Sequence, residues 1–124
     1  MTRAKSRQGR SNRRAGRLSE YVCALWLMAK GYRLLGFRLR TPQAEIDLLV
    51  VKGGVVAVVE VKRRRSLAEA LEAVSFAQRR RLIAAVRALG ARRPDLAGAP
   101  VRLDLIALAP GHLPRHIRDA WRDM

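Results

Sequence analysis

The chain lacks most of the devices that hold small proteins together without a large core. Its 124 residues include one cysteine, Cys23, so no intramolecular disulfide and no cysteine-clustered zinc site can form. A reducing cytoplasm is the expected setting. No apolar run approaches the ~20 residues of a membrane span, and the N-terminus has no continuous apolar signal core, so no membrane association is expected. Glycine-rich phosphate loops and a Ser–His–Asp arrangement are both missing, which leaves nucleotide hydrolysis and acyl transfer unsupported. Aromatic residues make up only 5% of the chain. Acids are scarcer still relative to bases, with ten Asp and Glu against 26 Lys and Arg, for a net charge of +16.

That surplus, with a pI near 11.8, exceeds what solubility requires and points to a polyanionic partner, nucleic acid in the first instance. Arginine heavily outnumbers lysine, and a GC-rich genome is an alternative source of the same bias. Residues 1–14 carry six bases, no acid and almost nothing apolar, the composition of a flexible basic arm. Residues 15–124 are long enough for one domain with a single core.

Within that domain, Leu18, Val22, Leu25, Trp26 and Ala29 recur at helical spacing over 15–30, and Gly31 supplies a stop. Residues 32–40 read as a strand ended by Pro42. Two strongly apolar strands follow, 44–51 and 55–62, around Lys52–Gly53–Gly54. Ser66 with Glu69, and then Ser75, mark helix starts, the second helix running to Arg92 ahead of Pro94. Residues 101–108 form a buried strand centred on Asp104, and the remainder reads as a turn, a short extended piece and a last helical turn or two. The order is helix, three strands, helix, strand.

The most apolar stretch, "AEIDLLVVKGGVVAVVEVKRRR", also carries three of the ten acids. A two-residue Gly53–Gly54 turn pairs Lys52 with Val55, so facing residues sum to 107: Asp47 faces Glu60 and Glu45 faces Lys62. Directly opposed carboxylates lie about 5 Å apart, with a repulsion of roughly 3 kcal/mol at an effective dielectric of 20. A divalent cation between Asp47 and Glu60 reverses that sign. Lys62, two residues beyond Glu60 on the same face, can neutralise a scissile phosphate or help deprotonate an attacking water. Glu45 is read more simply, as a cross-strand salt bridge with Lys62. Arg63, Arg64 and Arg65 follow this strand directly and are better placed for phosphate than Arg79–Arg81, which a helix points in several directions. Asp104 reads as structural, paired with Arg102 or capping a neighbouring element. His112 and His116 are separated by Pro114 and have no evident third ligand, which weakens a metal-site reading.

"GRLSEYVCALWLMAKGYRLL", "AEIDLL", "VVEVKRR", "AVSFAQRRRL" and "VRLDLIAL", in this order, resemble the YraN family of small bacterial proteins. That family is similar in turn to the PD-(D/E)XK nuclease superfamily, notably the archaeal Holliday-junction resolvases. The resemblance covers residues 15–122. It implies an α/β fold with a restriction-endonuclease-like αβββαβ core and a mixed central sheet. It also implies an endonuclease selective for branched or flapped DNA and dependent on Mg²⁺ or Mn²⁺. Asp47 and Glu60 would be metal ligands, Lys62 the catalytic lysine, and Glu20 the helix glutamate that completes the site. Arg17 joins Arg63, Arg64 and Arg65 as an expected nucleic-acid contact. Resolvases act as dimers, so a homodimer is expected. Ala44 and Gln78 depart from the family's usual Gly and Lys. A binding protein that keeps the fold without cutting is the alternative.

Overall fold

A computed structural model describes residues 17–122; the basic arm expected at 1–14 lies outside the described residues. Helix α1 (residues 17–29) leads into strands β1 (Arg33–Arg40), β2 (Glu45–Lys52) and β3 (Val55–Arg63). Helices α2 (Leu67–Glu72) and α3 (Phe76–Arg92), then strands β4 (Val101–Leu108) and β5 (Arg115–Ile117), complete the chain. The strands lie in one sheet in the order β1-β2-β3-β4-β5. All neighbours are antiparallel except β3 and β4, which pair in parallel and therefore need the α2–α3 crossover. The fold is thus α/β, a five-stranded mixed sheet flanked by helices, consistent with an αβββαβ core to which α2 and β5 are added.

Local chemistry sets the boundaries. Gly53 and Gly54 both have positive φ (60° and 78°), the requirement of a tight hairpin turn, and Lys52 pairs with Val55 across it. The Ser66 and Ser75 hydroxyls accept the backbone N–H of Glu69 (3.2 Å) and Gln78 (3.1 Å), capping α2 and α3. Gly31 at φ 96° closes α1, with the Tyr32 N–H returning to the Leu27 carbonyl at 3.0 Å.

The sheet is covered on both faces. Leu49, Val56, Val58 and Leu105 pack with Leu82 and Ala85 of α3, while Leu48, Val50, Ala57, Val59 and Ile106 pack with Cys23, Ala24 and Leu27 of α1. Burial on both faces explains why β2 and β3 read as continuous apolar runs rather than alternating ones. The stripe expected along α1 is rotated from the face that packs. Leu18, Val22 and Leu25 are exposed, with Tyr21 and Met28 beside them, and the smaller Cys23 and Ala24 approach the sheet. The expected last helical turn is also absent among the described residues, since 118–122 form turns after β5. No described helix is long and apolar enough to cross a membrane.

Candidate metal and nucleic-acid site

The β2–β3 ladder follows the 107 rule from Lys52↔Val55 to Leu48↔Val59 and stops one step short of Asp47 and Glu60. At that step the Val61 N–H donates to Asp47 Oδ2 (3.0 Å), a side chain standing in for the missing ladder carbonyl. β2 stays paired with β1 as far as Arg40↔Glu45, and β3 stays paired with β4 as far as Arg63↔Leu108. The separation is therefore confined to this end of the β2–β3 seam. Alternation from Val56 and Val58 places Glu60 and Lys62 on the face covered by α2 and α3.

Glu60 is 2% exposed, and its buried Oε1 has no hydrogen-bond partner. Burial, and after it the charge of Asp47, push its pKa up to about 8 against the opposing pull of Lys62. A carboxyl in this state holds a proton or awaits a cation. Asp47 is half-buried and anchored through Oδ2, and Lys62 is half-buried.

Glu20 comes from α1 and is engaged differently. Arg38 Nη1 donates to its Oε2 at 3.0 Å, while Arg38 Nη2 lies 3.8 Å from Glu45 Oε1. Burial raises the Glu20 pKa, the Asp47 charge raises it further, and Arg38 opposes both. Glu45 thus pairs with Arg38 and not with Lys62 as the facing rule suggested. Among the described residues, no three His, Cys, Asp or Glu side chains group so as to hold a metal ion. Asp47 and Glu60 are together; Glu20 stands with the Arg38 guanidinium.

The expected nucleic-acid contacts, Arg17, Arg63, Arg64 and Arg65, are all exposed. Arg63 Nη2 donates to Ser19 Oγ at 2.7 Å and Arg64 Nη1 to the Arg63 carbonyl at 2.7 Å, so these two are held against α1 and their own strand. Sequence reasoning missed Arg38. Its φ of 50° is unusual for a residue with a side chain and was signalled by nothing in "YRLLGFRLR".

Asp104 lies apart from this site, on the α1 face. It is fully buried and fully bonded. Arg102 Nε and Nη2 donate to its two oxygens at 2.7 and 2.9 Å, His116 Nε2 lies 2.8 Å from Oδ2, and the Asp119 N–H donates at 3.0 Å. Those bonds hold its pKa low despite burial. His116 Nδ1 is 2.8 Å from Lys30 Nζ, while His112 Nδ1 lies 2.9 Å from the Pro110 carbonyl, so the two histidines have separate partners.

Comparison with known proteins places these residues in a family. Residues 19–108, which include Glu20, Asp47, Glu60 and Lys62, match the model of the Uncharacterised protein family UPF0102. A UPF0102 protein of Caulobacter sp. (strain K31) is 59% identical over 117 residues, covering 94% of this chain and 84% of that one. One from Caulobacter vibrioides (strain NA1000 / CB15N) is 57% identical, covering 92% and 91%. One from Paramagnetospirillum magneticum is 44% identical and covers 94% of each. With a match over most of its length, the chain belongs to the UPF0102 family, the YraN family.

Proposed function

We propose that this protein is a metal-dependent endonuclease acting on DNA in the cytoplasm, with branched or flapped DNA as its preferred substrate. One observation carries the reading: a buried glutamate with an orphaned oxygen, Glu60, stands beside Asp47 where β2 and β3 part, with Lys62 on Glu60's face. Nothing in folding calls for two carboxylates there. The similarity of YraN proteins to PD-(D/E)XK resolvases supports the same roles, as does the net charge of +16.

The donor set suits Mg²⁺ or Mn²⁺. Asp47 has Oδ2 fixed by the Val61 N–H, Glu60 offers Oε1, and hard cations bind through one or two carboxylates while keeping water. When bound, such an ion supplies charge neutralisation at phosphate and a water of lowered pKa. Glu60 must lose its proton to serve as a ligand. Lys62 hydrogen-bonds the attacking water or a non-bridging phosphate oxygen, while the exposed Arg64 and Arg65 neutralise flanking phosphates. In the hydrolysis, a P–O bond forms to the water oxygen, the ester P–O bond breaks, and the departing oxygen takes up a proton.

The test is cleavage of duplex, single-stranded, flap and four-way-junction DNA with Mg²⁺ or Mn²⁺. EDTA should stop it, Asp47→Asn should abolish it while leaving DNA affinity intact, and binding should weaken steeply with salt. Cutting by Asp47→Asn at the wild-type rate sinks the reading. Binding of every substrate with no cutting favours a second one, a DNA-binding protein that keeps the fold, which the Arg38–Glu20 ion pair supports because it engages the third expected ligand.

A homodimer fits the same reading. The exposed face of α1 formed by Leu18, Tyr21, Val22, Leu25 and Met28 carries no charge on a chain of net +16, so it is where a second copy meets least repulsion.

A further inference from the structure

Beyond α3 from the β2–β3 seam lies a cleft of about 700 Å³, within the range of ligand sites, into which Arg79, Arg80 and Arg87 project alongside Phe76 and Trp121. Helical spacing explains the grouping, since 76, 79, 80, 83 and 87 recur on one side of α3. Arg79 and Arg80, adjacent in sequence, therefore share one cleft.

Two of these three guanidiniums lie over rings. Arg79 lies 5.6 Å from the Phe76 ring centroid and 5.5 Å from that of Trp121, and Arg80 lies 5.9 Å from Phe76. None of the ion pairs formed by the described residues involves Arg79, Arg80 or Arg87. Asp119 is the one acid lining the cleft, and its backbone N–H is directed to Asp104. The Arg79 Nε–H is buried and has no acceptor. Phe76 is 65% exposed at the rim, whereas Leu82 and Val86 of the same helix are buried in the core. Three cations with little opposing charge suit a phosphate, and an exposed ring flanked by guanidiniums suits the flat face of a base.

We infer that this cleft holds an unpaired nucleotide of a nucleic-acid strand, its base on Phe76 and its phosphates on Arg80 and Arg87, with Arg79 fixed behind them. A duplex keeps its bases stacked on one another and offers Phe76 no face, so the site selects single-stranded or locally opened nucleic acid. A shallower depression lined by Pro42, Gln43, Phe76, Arg80 and Arg81 joins the cleft to the turn that enters β2 at Glu45. A strand lying on α3 therefore has a path toward Asp47. The inference rests on the nucleic-acid part of the proposed function and is independent of cutting.

The experiment is done in EDTA, so binding alone is read. A labelled oligothymidylate and a duplex of equal length are titrated into the wild type and into Phe76→Ala, Arg80→Ala, Arg87→Ala and Arg33→Ala. Arg33, exposed at the start of β1, serves as the control for loss of one charge. Phe76, Arg80 and Arg87 are exposed, so these variants keep their fold, which circular dichroism and melting verify. Expected are a loss of tenfold or more in oligothymidylate affinity for Phe76→Ala, with duplex affinity unchanged, and larger losses for Arg80→Ala and Arg87→Ala than for Arg33→Ala. In a Trp26→Phe background, Trp121 is the only remaining tryptophan, and its emission should change with oligothymidylate and not with inorganic phosphate or thymidine monophosphate at equal concentration. A response to the mononucleotide as strong as to the strand overturns the strand assignment. Wild-type affinity in Phe76→Ala, or equal losses in Arg80→Ala, Arg87→Ala and Arg33→Ala, overturns the site itself while leaving the nuclease reading intact. Normal strand binding here, together with unimpaired cutting by Asp47→Asn, overturns the nuclease reading and leaves this one standing.

Discussion

Glu60→Gln should separate the pH dependence of the wild type from that of a protein whose carboxyl cannot ionise. The folded Glu60 pKa, pushed up to about 8 from an ordinary 4.5, means that the folded state holds a proton the unfolded state releases. Stability from the neutral carboxyl is complete below about pH 4.5 and is lost progressively as pH rises through 8. At about 1.4 kcal/mol per pH unit, the span from 4.5 to 8 bounds the contribution at about 5 kcal/mol, and relaxation around a buried carboxylate reduces that to a few. Glutamine is nearly isosteric and always neutral. In urea titrations with EDTA from pH 5 to 9, the stability of Glu60→Gln relative to the wild type should therefore rise with pH and level off above 8. Mg²⁺ should narrow the gap by stabilising the ionised wild type, with an affinity that increases over the same interval. A stability difference that stays constant from pH 5 to 9 would show that Glu60 does not titrate abnormally, and the electrostatic case for the site would fail with it.

Two further outcomes follow from other parts of the molecule. Asp104→Asn should cost about 3–5 kcal/mol at neutral pH by leaving Arg102 without its buried counter-ion. Because the Asp104 pKa is held low, its ionised form stabilises the fold above the ordinary carboxylate range and is lost as pH falls; urea titrations of both proteins at pH 7 and pH 3 should therefore show the difference shrinking in acid. On α1, a Leu18→Glu/Leu25→Glu double variant should sediment as a monomer with its melting temperature little changed, since both side chains are more than 60% exposed; an unchanged sedimentation coefficient would remove α1 as the dimer surface.

What could be read from sequence was what local chemistry determines. Gly53–Gly54 fixed the hairpin, and the hairpin fixed which β2 residue meets which β3 residue as far as Leu48 and Val59. The serine caps fixed where α2 and α3 begin. Orientation of α1 could not be read, because residues 21–29 are apolar nearly all the way round and several stripes satisfy the same periodicity. The sheet selects among them by how closely a helix can approach: small Cys23 and Ala24 sit against it with Leu27, Trp26 packs beside them, and Leu18, Val22 and Leu25 are left outside. The grouping of Arg79 with Arg87 and Trp121 was hidden for a different reason. Trp121 is distant in sequence from the arginines it joins, and a run of three arginines gives no hint that two of them share a cleft.

Arg38 bears most directly on how the acids are accommodated. Glu20, Asp47 and Glu60 come from three elements, and the charge of Asp47 raises the pKa of both glutamates. Three carboxylates so placed cannot all stay ionised and uncompensated in a half-buried setting. Each is relieved by a different means: Glu20 by the Arg38 guanidinium at 3.0 Å, Asp47 by the Val61 N–H at 3.0 Å, and Glu60 by burial as a neutral acid. Arg38 reaches Glu20 from a backbone at φ 50°, a conformation with a cost of order 1–3 kcal/mol for a residue with a Cβ, so the contact is held against local strain. The proton on Glu60 and the guanidinium on Glu20 are then two monovalent answers to one excess of negative charge. A divalent cation held by Asp47 and Glu60, as proposed above, would take the place of the first, because an ionised Glu60 could then share its charge.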